Sequence, residues 1–90
     1  MRTKMSDFLT NLQKKWGITD INHIKPGIGE STRVLLRRVP YLLIIQDLDS
    51  KETEHLILLA KEKETKVIED KYLPYKALAI IKNVREKVLP

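Results

Sequence analysis

The stretch YLLIIQ, residues 41–46, is a continuous apolar run with the length of a β-strand. Patterns typical of amphipathic helices lie on both sides of it. A strand that is apolar at successive positions, rather than at alternate ones, is typically buried on both faces. We therefore expect residues 41–46 to form the central strand of a sheet that helices cover on each side.

Four segments around this strand are predicted to be helices. Gly17 is suited to end the first, Pro40 the second, and Pro74 is suited to the first turn of the fourth. Val39 is expected on the buried side of the second helix, with Val34 and Leu35. The predicted helices cover about residues 6–16, 29–38, 51–64 and 74–83.

Three further segments are expected to be strands. They cover residues 21–24, 65–69 and 84–89, although the fourth helix could instead continue through the last of these. The chain then alternates between helix and strand from end to end. This alternation predicts an α/β fold, a three-layer α/β/α sandwich with a mixed central sheet, formed as a single domain over residues 1–90.

The composition excludes several classes of protein. Ninety residues, 42% hydrophobic and 32% charged, suit one small globular domain. The absence of cysteine excludes disulfides, thiolate metal sites and a cysteine nucleophile. The apolar runs are too short to cross a membrane, and the first residues lack the apolar core of a signal peptide. We therefore expect a cytoplasmic protein with no membrane partner.

The positive charge is confined to one part of the chain. The formal net charge is +5, and residues 1–40 carry 8 Lys/Arg against 3 Asp/Glu, whereas residues 41–90 carry 9 of each. A localised basic surface is typical of nucleic-acid binding. The alternative is a soluble protein that is merely basic.

The segment KPGIGESTR, residues 25–33, lies within this basic part, at the start of the second helix. Gly27 and Gly29 would let the backbone approach a ligand closely, and a helix start offers free N–H groups to an anion. It is not a phosphate-binding Walker loop, because the glycine spacing and the lysine of that motif are absent. The cations expected to neutralise phosphates are Lys25, Arg33, Arg37 and Arg38.

Signals for catalysis are weak. Asp47 and Asp49 follow the apolar strand and could bind Mg²⁺, which would make the chain a small metal-dependent enzyme. The alternative is that one of them caps a helix and the other is exposed. No Ser/His/Asp set stands in a recognisable context. We therefore expect no enzyme, no metal site and no cofactor.

The order of these motifs resembles the kink-turn-binding ribosomal protein family, of the L-seven-Ae and L-thirty-e type. That family has G-x-N-E-x-T-K at the start of its second helix, where this chain has Gly27 to Arg33, with Gly29 at the Asn position. An apolar strand then runs into a D-x-D-P turn, matched here by YLLIIQDLDS. A later L-G-x-A-x-G-like helix is matched by LPYKALAIIKNV, with Leu78 and Ala79 at the Leu-Gly pair.

The resemblance implies a function and a set of contacts. It implies an RNA-binding component of the large ribosomal subunit or a related ribonucleoprotein, archaeal in type. Such a protein binds structured, kink-turn-like RNA, and the partners that the resemblance implies are rRNA and neighbouring ribosomal or ribonucleoprotein subunits. Glu30 would accept hydrogen bonds from a guanine edge. The loop near 71–75 would pack against an extruded base through Tyr72, Leu73 and Tyr75. The alternative, favoured by Gly29 and the bulky loop, is a protein-interaction module on the same fold.

Overall fold

The computed structural model describes residues 3–18 and 20–81 of the chain. Its helices are α1 (Thr3–Trp16), α2 (Ile28–Arg37) and α3 (Glu54–Glu62). Its strands are β1 (Ile24–Pro26), β2 (Leu42–Ile45), β3 (Lys66–Glu69) and β4 (Ala77–Ile80). Two 3₁₀ turns, Ile21–His23 and Lys51–Thr53, precede β1 and α3. None of the helices in these described residues is long and apolar enough to span a membrane.

The four strands form one mixed sheet in the order β1-β4-β2-β3. β2 runs parallel to β3, and β4 runs antiparallel to both β1 and β2. In the register, Leu43 lies opposite Val67 on one side and Ala79 on the other. β2 is therefore an interior strand, as the apolar run at 41–46 predicted.

Each face of the sheet packs against helices. On one face, Leu42 and Ile44 join a core cluster with Leu12 of α1. On the other face, Leu43 and Ile45 join Leu35 of α2 and members of α3. Successive strand residues point to opposite faces, so a strand between two helical layers must be apolar at every position. This confirms the α/β class and the mixed sheet, and the two helix layers make it a three-layer sandwich.

The helix predicted over 74–83 is wrong in its described part, because residues 77–80 form strand β4. Leu78 and Ile80 pack on the α1 face, while Ala77 and Ala79 pack on the face covered by α2 and α3. A short apolar run fits a buried helix or a buried strand equally well. Here β1 and β2 supply pairing partners on both sides of the segment, and neither is visible from the local pattern. Asn83 and the predicted strand at 84–89 lie outside the described residues.

The strand predicted at 21–24 is also largely wrong. Residues 21–23 form a 3₁₀ turn, and strand β1 begins at Ile24. The Asp20 carboxylate accepts the backbone N–H of Asn22 at 2.9 Å, so the side chain before the segment caps a turn. Val39, expected on the buried side of α2, is 60% exposed because the helix ends before it, at Arg37.

The other predicted elements are confirmed with shifted bounds. Gly17 ends α1 with φ +68°, and the N–H of Ile18 donates to the Gln13 carbonyl at 2.9 Å, a pattern typical of a glycine-ended helix. Ser50 caps the turn before α3 by accepting the N–H of Glu52 at 3.2 Å.

Candidate nucleic-acid interface

Helix α2 begins at a residue whose conformation requires glycine. Gly27 has φ +103° and ψ +154°, a region that is essentially restricted to glycine. Its N–H donates to the Ala77 carbonyl at 2.7 Å, which ties the start of α2 to the start of β4. Among the described residues no side chain caps the helix, so the N–H groups of its first turn lack a side-chain acceptor there.

Gly29 has a different role from Gly27. It lies inside the first turn of α2, is exposed, and a Cβ built on it would meet nothing within 4 Å. The fold therefore does not require glycine at this position. What Gly29 provides is open space beside the first turn of α2.

A cleft runs beside α2, and five of the predicted site residues line it. It has a volume of about 280 Å³ and lies where α2 faces β1 and the residues flanking β1 and β4. We call it the basic cleft, because it brings together four cations and one carboxylate. Its lining residues are Asn22, Lys25, Glu30, Arg33, Val34, Arg37, Arg38 and Ile81.

The cations of the basic cleft are not neutralised by neighbouring carboxylates in the described part of the chain. The ion-pair contacts there join His23 to Asp20 at 3.8 Å and Lys76 to Glu52 at 3.3 Å, so neither involves a cleft residue. Arg33 and Arg37 lie one helical turn apart and are both exposed. Four cations that outnumber the single carboxylate of the cleft and make no ion pair with it create a positive potential that attracts anions.

The three predicted base-contacting residues lie in the loop between β3 and β4, residues 70–76, and they differ in how exposed they are. Tyr72 is 94% exposed, whereas Leu73 is 1% exposed and belongs to the core cluster under α1. Tyr75 is half-buried, with its ring 6.4 Å from that of Phe8. The Leu73 side chain is buried and anchors the loop, and its contact with RNA stays a prediction. Tyr72 is free to contact a ligand, and for Tyr75 the contact stays a prediction.

Hydrogen bonds hold this loop in place. The Gln46 Nε2 donates to the Leu73 carbonyl at 2.7 Å, and the Asp70 carboxylate accepts the N–H of Tyr72 at 3.0 Å. The N–H of Leu73 also donates to the Asp70 carbonyl at 3.1 Å. The loop therefore presents an exposed tyrosine on a fixed turn, at the end of the sheet where α2 begins. In the sequence, the one sign that Gln46 has a structural role is that it is a polar residue at the end of an apolar strand.

Three residues of the basic cleft were not predicted as site residues: Asn22, Val34 and Ile81. Asn22 lies in the segment 21–24 that was predicted as a strand, Val34 was expected on the buried side of the second helix, and Ile81 lies in the segment 74–83 that was predicted as a helix. The N–H of Ile81 donates to the His23 carbonyl at 2.8 Å, which brings the end of β4 against the 3₁₀ turn. No local pattern could have indicated this, because the contact joins residues almost sixty positions apart.

The aspartates after β2 serve a turn. The Asp47 Oδ1 accepts the N–H of Asp49 at 2.9 Å, and both residues are exposed. Within residues 3–18 and 20–81, no three side chains of His, Cys, Asp or Glu are grouped so as to hold a metal ion.

These observations define the class of protein, which is a small α/β domain with a cationic cleft beside an uncapped helix. Residues 3–83 match the family model described as the PELOTA RNA binding domain, and the chain belongs to that family. RNA is thus the partner class that the family supports. The resemblance to kink-turn ribosomal proteins was wrong, and the ribosomal role and kink-turn recognition that rested on it lose their support.

A curated relative carries a similar domain within a much longer chain. It is the protein named Cysteine protease StiP from Acinetobacter baylyi (strain ATCC 33305 / BD413 / ADP1), 39% identical over 75 residues. The match covers 81% of the present chain and 20% of the relative. The chain thus spans about a fifth of the length of that relative.

Proposed function

We propose that this domain binds RNA through the basic cleft and the start of α2. The observation that carries the proposal is the gathering of Lys25, Arg33, Arg37 and Arg38 around one cleft, with Glu30 as the single carboxylate of its lining. The match to an RNA-binding family supports RNA as the ligand. The charge asymmetry of the sequence supports the same location.

The geometry suits an RNA backbone. Arg33 and Arg37 project from successive turns of α2, about 6 Å apart along the helix axis, so each can contact a different phosphate of one strand. Arginine is suited to this because its planar guanidinium donates two parallel hydrogen bonds to a phosphate. The uncapped N–H groups after Gly27 add donors and the positive end of the helix dipole.

Tyr72 extends the proposed interface. Its ring is almost fully exposed, and its loop leads into Ala77, which accepts the N–H of Gly27. An exposed ring on a fixed turn stacks with a base at little entropic cost, because the turn is already ordered. We propose Tyr72 as a stacking residue for RNA that reaches beyond the start of α2.

Binding, rather than catalysis, is the role that we propose for these residues. The relative from Acinetobacter baylyi is named a cysteine protease. The 90 residues of this chain contain no cysteine, so they cannot supply a cysteine nucleophile. The proposed contribution of the domain to any larger assembly is therefore recognition of RNA.

The test compares two double variants that remove the same charge from different places. Arg33→Ala with Arg37→Ala removes two cations from the basic cleft, and Lys61→Ala with Lys66→Ala removes two exposed cations from the other half of the chain. Binding to a fluorescent structured RNA is measured at several salt concentrations. At about 1.5 kcal/mol for each charged contact, the cleft variant should lose about a hundredfold in affinity.

The salt dependence gives a second readout. The slope of log affinity against log salt should fall by about one for each phosphate contact removed, so by about two for the cleft variant. The control variant should keep nearly the wild-type slope. Equal losses in the two variants would contradict the proposal, since net charge alone would then explain binding. A stable protein partner with no RNA binding would favour the protein-interaction alternative.

A further inference from the structure

The basic cleft contains groups that a phosphate site does not need. Besides its cations, it is lined by the apolar side chains of Val34 and Ile81, the amide of Asn22 and the carboxylate of Glu30. A carboxylate repels phosphate, and an apolar side chain gives it no hydrogen bond. Cations, apolar surface and polar groups together match a whole nucleotide, which has an anionic phosphate, an apolar base face and a polar base edge.

The positions of these groups are fixed by the fold. Val34 is 7% exposed and lies midway along α2. Ile81 is held against the 3₁₀ turn by its N–H bond to His23, at 2.8 Å. Asn22 belongs to that turn, which the Asp20 carboxylate caps by accepting the Asn22 N–H. The backbone that carries these groups is thus held in place before a ligand binds, which limits the ordering entropy that opposes binding.

The shape of the cleft selects among forms of RNA. A concavity of about 280 Å³ is near the lower limit for small-molecule sites and has no room for a double helix. Bases within an A-form duplex are stacked, and side chains cannot read its deep, narrow major groove. A base can enter a cleft only when it is unpaired, in a loop, a bulge or a single strand.

We propose that the basic cleft receives one unpaired nucleotide of RNA. The base contacts Val34 and Ile81, its polar edge is read by Asn22 and Glu30, and the flanking phosphates lie on Arg33 and Arg37. This inference rests on the proposed function and adds the substrate class of the same site. It makes Asn22 a specificity-determining residue that carries no charge.

The experiment uses three RNAs of common sequence: a blunt duplex, the same duplex with one bulged nucleotide, and the single strand. Affinities are measured by fluorescence anisotropy for the wild type and for Asn22→Ala. Asn11→Ala, an exposed asparagine on α1, is the matched control. The wild type should bind the bulged duplex and the single strand at least about tenfold more tightly than the blunt duplex, the scale of one stacked base.

Asn22→Ala should reduce this preference, and Asn11→Ala should preserve it. In a second measurement, the amide signals of Asn22 and Ile81 are followed by NMR during titration with nucleoside monophosphates or inorganic phosphate. The nucleotides should shift these signals more than phosphate does.

Two results of the binding experiment would overturn the proposal while the proposed function stands. One is equal binding of all three RNAs with continued loss in Arg33→Ala, and the other is a preference for the bulge that Asn22→Ala leaves unchanged. Equal NMR shifts from phosphate and nucleotides would also overturn it, since the cleft would then be a phosphate site. Absence of binding to any RNA would instead overturn the proposed function itself.

Discussion

The segment 25–38 and the segment 46–76 use their polar groups in opposite ways. In the second segment, carboxylates accept backbone N–H groups: Asp47 from Asp49 at 2.9 Å, and Glu69 from Leu48 at 3.0 Å. In the first segment, the cations of the basic cleft have no carboxylate partner in the described part of the chain, and the first turn of α2 has no side-chain cap.

This difference separates groups that stabilise the fold from groups that are available for a ligand. A charge that is hydrogen-bonded to its own backbone holds a turn in place, and its removal costs stability. A charge without a partner costs little to remove, but it is ready to bind an anion. Substitutions of the charged groups in the two segments should therefore affect different measurements.

The largest expected effect on stability is at the start of α2. Gly27→Ala should lower the free energy of unfolding by about 1–3 kcal/mol, because Gly27 adopts a conformation that side-chain-bearing residues rarely tolerate. The cause is the backbone alone, since a Cβ there would meet nothing within 4 Å. Chemical denaturation followed by circular dichroism measures the change.

Gly29→Ala is the matched control. Gly29 lies in ordinary helical conformation, so the free energy of unfolding of the variant should stay constant or rise by up to about 1 kcal/mol. Its affinity for RNA should fall if RNA approaches the first turn of α2. Equal destabilisation by both substitutions would mean that the two glycines have the same role, which would contradict the distinction drawn between them.

A smaller loss is expected in the loop that follows β3. Gln46→Ala should destabilise the domain by about 1–2 kcal/mol, because it removes the 2.7 Å bond to the carbonyl of Leu73. Tyr72→Ala, in the same loop, should change stability by less than about 0.5 kcal/mol, since its side chain is 94% exposed.

The effects on RNA binding should have the reverse order, with a larger loss of affinity in Tyr72→Ala than in Gln46→Ala. Tyr72→Ala should weaken binding to RNA that contains unpaired bases, by roughly tenfold for one lost stacking contact. A Tyr72→Ala variant as unstable as Gln46→Ala would place Tyr72 among the structural residues instead.

The smallest effect, and a gain, is expected at the end of α3. Glu64 has φ +58°, in the position after a helix that usually holds glycine. Glu64→Gly should therefore raise stability by about 0.5–1 kcal/mol. Glu62→Gly, within the same helix, should lower it by about the same amount. A loss in both variants would show that the Glu64 side chain stabilises the second segment as its other carboxylates do.

The sequence predicted some parts of the site and not others for a physical reason. Arg33 and Arg37 lie on one helix, where spacing along the chain determines which side chains share a face. Leu73 and Tyr72 are neighbours in a loop without periodicity, so nothing local showed which of them is buried. Asn22 and Ile81 meet only because β4 pairs with β1.

By itself, the sequence determined the helices near residues 6–16, 29–38 and 51–64, the strands near 41–46 and 65–69, the burial of β2 on both faces, and the half of the chain that carries the positive charge. These depend on periodicity and composition, which are local. The tertiary structure alone decided that residues 77–80 are a strand between β1 and β2, and that one cleft joins α2 to Asn22, Lys25 and Ile81. Strand pairing and cleft formation bring together residues that are far apart in the chain. A local sequence pattern does not show which distant residue will be the partner.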